Sequence, residues 1–136
     1  MKRVLSIFTI IFLVVGQPAS AEVLGFNDAE VKAIGQPVLD NILEGFDNND
    51  YLIYVRDFDD TLRESVSEDQ FYQVDQHFEK TIGPIVSKTY LGYLKQGQMT
   101  VLLWKARFEY SDNDVLIKLV MSKRGDRYVV TGLWFQ

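Results

Sequence analysis

The hydrophobic positions change period once along the chain, near Gly83-Pro84, and this divides the sequence into a helical half and a strand half. Before that point Val31, Ile34, Val38, Ile42, Leu43 and Phe46 recur at helical spacing. Asn27 or Asp28 caps this helix, and Glu30 stands where it closes a capping box on Asn27. Gly35 and Pro37 interrupt the stretch. Proline lacks a backbone donor and clashes with the preceding turn, so a kink or break is expected, with Pro37 opening a second segment. Asp47-Asn48-Asn49-Asp50 ends the helix. Tyr51 to Phe58 has strand-like residues but also a helical face at 51, 54, 55 and 58, and Asp50 as N-cap decides for a short helix. Asp57, Asp59 and Asp60 then read as its solvated end. A third helix starts at Ser67 with Gln70 at the capping-box position, carries Phe71, Val74, Phe78 and Ile82 as its apolar stripe, and stops at Gly83-Pro84.

After Gly83 the period is two. Ile85 to Leu94 reads as a strand, followed by a turn at Gly97. In Gln98 to Tyr110, one face carries Leu102, Trp104, Ala106, Phe108 and Tyr110, and the other Val101, Leu103, Lys105, Arg107 and Glu109. Ser111 to Asp114 is a loop of turn formers. Val115 to Lys123, the hairpin signal Gly125-Asp126, and Arg127 to Phe135 complete an antiparallel meander. Helices first and a four-stranded antiparallel sheet after define an α+β domain.

The first residues follow a different logic. Met1-Lys2-Arg3 is basic, Val4 to Val15 is an apolar run of 12 residues, Gly16-Gln17-Pro18 breaks it, and Ala19-Ser20-Ala21 supplies small residues before a cut. This is the pattern of a secretory signal peptide cleaved after Ala21, and the run is too short to span a membrane. Residues 1–21 are thus an address and 22–136 a single α+β domain, expected to be periplasmic or secreted and free of the membrane once cut. The leader takes Lys2 and Arg3 and no acid, so the formal charge moves from −5 for all 136 residues to −7 for the remaining 115. That acidity argues against nucleic acid as a partner. The chain has no cysteine, which excludes disulfides, thiolate chemistry and Cys-based zinc sites.

The order of elements resembles the nuclear transport factor 2-like superfamily, cone-shaped α+β domains in which helices cover one face of a bent sheet. The residues carrying the likeness are Asp50-Tyr51 through Asp57-Phe58, Ser67 to Phe71, Ile82-Gly83, Tyr90, Val101 to Phe108 and Tyr128 to Phe135. They span most of residues 27–135 and are similar to small exported domains of unassigned function. The superfamily includes isomerases, dehydratases, cargo binders and non-catalytic domains, so the likeness implies a fold and leaves the activity open. Its isomerase-like members use a carboxylate base with a tyrosine and an acid inside the cone. Tyr54 and Asp57, three residues apart, fall on one helical side and are the candidates for such a site.

His77 is the only histidine, a candidate general base or an ordinary helix-surface residue; no second histidine stands near it. Asp47 to Asp50 fails the calcium-loop pattern, because its sixth and twelfth places hold Leu52 and Phe58. No metal and no cofactor is called for. Arg124-Gly125-Asp126 spells an adhesion tripeptide that turn chemistry already explains. Aromatic residues are dense, at 2 Trp, 7 Tyr and 9 Phe, and Trp104 and Phe108 belong either to the core or to the wall of an apolar pocket. On the second sheet face, Val101, Leu103, Lys105, Arg107, Leu116 and Val120 form a mixed apolar and basic surface, a candidate homodimer interface or docking face for a protein partner. No catalytic set is assigned. The residues favour an exported non-catalytic domain that binds a small apolar ligand or a protein partner. An isomerase- or lyase-like enzyme, and an interaction module pairing through its sheet, are the alternatives.

Overall fold

A computed structural model of the chain describes residues 23–136. The expected leader and its cleavage point lie outside them. The architecture is α+β: helices α1 (Asp28–Asp47), α2 (Tyr51–Tyr54), α3 (Asp60–Ser65) and α4 (Glu68–Thr81) precede strands β1 (Ile85–Gln96), β2 (Met99–Phe108), β3 (Val115–Arg124) and β4 (Arg127–Phe135). The strands form one antiparallel sheet in the order β1-β2-β3-β4.

Asn27 caps α1 by accepting from the Glu30 N–H at 2.9 Å. The Glu30 carboxylate reaches back one residue further than expected, to the Phe26 N–H at 2.8 Å rather than to Asn27. The expected break at Pro37 is absent and α1 is continuous through it. Pro37 lies on the exposed side, where the carbonyl left without its partner meets water instead of the core. Gly35 is a packing residue: any Cβ there would overlap Leu102 of β2, so its absence lets α1 lie close on the sheet.

The segment after α1 differs from expectation in two ways. The helix begun at Tyr51 lasts only to Tyr54, and Phe58 instead makes a parallel bridge to Val130 of β4. The acidic run then opens a helix rather than closing one. Asp59, buried, accepts from the Leu62 N–H at 2.8 Å to cap α3, and its other oxygen pairs with Arg124 at 3.1 Å. The capping box of α4 forms as read, with Ser67 and Gln70 each bonded to the other's backbone. The apolar stripe of α4 is corrected at one position: Val74 is 45% exposed, and the buried place between Phe71 and Phe78 is taken by Asp75.

Two-residue turns join β1 to β2 and β3 to β4. Gly97 and Gly125 sit at φ +62° and +61°, a region that costs a side-chain-bearing residue energy. β2 ends at Phe108, so Tyr110 stands exposed beyond the core face assigned to it. The core lies between α1 and one sheet face, where Trp104, Leu102, Ile117, Leu119 and Met121 meet Val31, Leu39 and Ile42. Trp104 is fully buried, and its indole N–H donates to Gln36 of α1 at 3.1 Å. β4 holds one residue more than β3 beside Val120, and Thr131 is the extra one, which brings Gly132 opposite Val120 on the outer face.

Candidate functional site

Where the C-terminal end of α1 and helix α4 meet the ends of β2 and β4, the packing leaves a pocket of about 340 Å³. Four phenylalanines dominate its wall: Phe46 from α1, Phe78 from α4, Phe108 from β2 and Phe135 from β4. Phe46, Phe78 and Phe135 touch one another at centroid distances of 5.7–6.0 Å, mostly edge to face, so they hold their positions as one cluster. Leu43, Ile85 and the Gly83-Pro84 turn complete the apolar lining. Gly83 is required at φ +72°, and a side chain there would also strike the Tyr110 ring.

The polar side chains of the wall are Asp47, Asp75 and Glu79. Asp47 and Glu79 stand exposed at the mouth, whereas Asp75 is only 3% exposed. Among the described residues no donor or cation bonds to the Asp75 carboxyl. Burial raises its pKa from 3.8 to about 6, and the charges of Glu79 and Asp47 push in the same direction. Among the described residues the lining holds no lysine, arginine or side-chain hydroxyl, amide or indole donor. Once Asp75 is ionised, every polar side chain there accepts. Among the described residues no three metal-binding side chains converge on a common ion position.

The residues singled out from the sequence are scattered over the molecule. Phe108 lines the pocket. Trp104 is core. Tyr54 packs its ring between Phe46, Phe71 and Phe58 at 4.8–5.0 Å, and burial pushes its hydroxyl up to about 12. Tyr54 lines a separate depression with Gln70 and Val74. Asp57 accepts from the Asn41 amide at 3.0 Å and faces a third depression beside Ile34 and Tyr128. His77 is exposed. Tyr54 and Asp57 therefore share no cavity. The residue that sequence reading missed is Asp75, and its position was the available signal, four residues after Phe71 and three before Phe78 on one helical face.

The outer sheet face carries the six interface candidates. Val101 and Val120 are neighbours in one rung with Gly132, and both are buried. The Trp134 ring occupies the space a side chain at Gly132 would fill, with the Lys118 ammonium 5.3 Å from the Trp134 ring centroid. Leu103 and Leu116 are half-buried, and Lys105 and Arg107 exposed. Among the described residues no helix is long and apolar enough to cross a membrane. Comparison of the chain with family models, with curated proteins and with solved structures returns no match.

Proposed function

We propose that the chain is an exported ligand-binding domain of the nuclear transport factor 2-like kind, with helices and sheet forming a cone around the phenylalanine-lined pocket. The observation that carries this reading is the pocket itself, apolar on most of its wall and within the size range, roughly 300–1,000 Å³, of small-molecule sites. The likeness in element order and the expected leader support the same picture. Binding is favoured over isomerase- or lyase-like catalysis by the chemistry of the wall. Enolate-type chemistry needs donors aimed at the developing oxyanion, and above about pH 6, where Asp75 is ionised, the lining side chains offer acceptors only.

The test uses protein recovered after export, which begins at Glu22 if the leader is cut as read. Titration with 2-phenylethanol followed by backbone amide NMR is expected to shift Leu43, Gly83 and Phe108, and Ile85→Trp, which fills the pocket from the strand side, to abolish those shifts. Shifts that are missing, or that survive in Ile85→Trp, contradict the reading.

A second reading rests on a separate observation. The outer sheet face leaves Leu91, Leu94, Met99 and Trp134 exposed beside the half-buried Leu103 and Leu116. Such a face fits pairing with a second copy of the chain, and an interaction module would act through it.

A further inference from the structure

We propose that the pocket takes a small amphiphilic amine, its ammonium set against the Asp75 carboxylate and its apolar body held among Phe46, Phe78, Phe108 and Phe135. This deepens the ligand-binding reading above and rests on it.

Three features of the wall select this chemistry. First, with Asp75 ionised the lining side chains present hydrogen-bond acceptors and no donors, so a ligand that satisfies them must itself donate. Secondly, among the described residues three carboxyl groups and no cation line the space. A fatty acid or other anion would enter against that field, whereas an ammonium enters with it. Thirdly, aromatic faces attract cations, so the rings that hold the apolar body also favour the charge. Metal ions are a poor fit, because Asp47, Asp75 and Glu79 do not converge on one ion position.

Asp75 also explains itself in these terms. Among the described residues no side-chain oxygen is both enclosed and unbonded, so the Asp75 carboxyl, on a residue only 3% exposed, opens onto the pocket, and carboxyls placed in this way gather where a ligand completes them. An ammonium beside it supplies the missing charge and donors together. The groups acting on Asp75 are Asp47 from α1 and Glu79 from its own helix, both acidic. Nothing in the pocket wall competes with the ligand's cation.

The experiment is calorimetric titration of the protein, expressed from the full sequence and recovered after export. The probes are 2-phenylethylamine, 2-phenylethanol and 3-phenylpropionate near pH 8 and near pH 5. One pH unit below a titration near 6, most Asp75 is protonated, so the amine is expected to bind about tenfold less tightly at the lower pH. The alcohol should change less than about twofold, and the propionate should bind weakest at the higher pH. Amine binding near pH 6 should also release protons, read as a dependence of the heat on buffer ionisation, and Asp75→Asn should remove both the release and the pH dependence. The wild-type profile stands by itself if that variant folds poorly. Equal binding of amine and alcohol with no pH dependence overturns the amine assignment and leaves the apolar pocket in place. Preference for the propionate overturns it as well. Binding of none of the three overturns the pocket reading and the amine with it.

Discussion

Asp75 is the residue at which local rules and observed structure part most clearly. Folding holds its proton up to about pH 6, while the unfolded chain releases it near 3.8. The folded state thus binds more protons than the unfolded state between those values, and this group's contribution to stability falls as pH rises through that window. Asp75→Asn removes the penalty. Melting curves are expected to show the variant more stable than wild type by about 1 kcal/mol near pH 8, allowing for solvent at the pocket mouth, and no more stable near pH 3.5. A variant less stable than wild type near pH 8 would show the carboxylate to be a structural anchor. The sequence made this residue hard to see. On α4 the apolar positions Phe71, Val74 and Phe78 satisfy a helical stripe without it, and an aspartate between Val74 and Phe78 looks like solvent-facing charge. A 3.6-residue repeat places residue 75 as near that face as residue 74, and only packing decides which is buried. Phe108 was legible because a strand's alternation fixes its face. Tyr54 and Asp57 share a helical side by spacing alone, and the helix ends at Tyr54, before that spacing can apply.

At the level of elements, caps and turns were the most readable features. Ser67 with Gln70 forms the box its spacing predicts, and Gly125-Asp126 turns where hairpin chemistry requires. What escaped was α3, because the aspartates before it serve equally as a helix end or a helix start, and the choice falls to the tertiary pair between Asp59 and Arg124. Pro37 misled for a related reason. Proline in a helix is unfavourable, but on an exposed side the orphaned carbonyl is hydrated, and the packing of Val31, Val38, Leu39 and Ile42 against the sheet carries the helix through. Pro37→Ala restores an intrahelical bond and is expected to stabilise the protein by about 1–2 kcal/mol, the helix gain less the entropy returned to the unfolded chain. Urea unfolding checks this, and a loss of stability would mean that the proline ring itself packs.

For the molecule as a whole, the sheet separates two environments. One face builds the core with α1 and, at its end, the pocket; the other bears Leu103, Leu116 and Trp134 among Lys105, Arg107 and Lys118. Pairing through that face predicts a concentration-dependent dimer in sedimentation velocity that Leu103→Glu shifts to monomer by about tenfold or more in dissociation constant, since a buried unpaired charge costs more than about 1.4 kcal/mol. Unchanged sedimentation of the variant removes the face from consideration. The division of α from β was legible throughout, because one change of period marks it; the exposure of each face was not, because Val101 and Val120 alternate outward yet are buried. The same division gives the chain two built-in optical reporters. Its two tryptophans lie on opposite sides of the sheet, Trp104 fully enclosed and Trp134 47% exposed. A water-soluble quencher reaches only the second, so emission splits into a quenchable share that follows events on the outer face and a protected share that follows the integrity of the core.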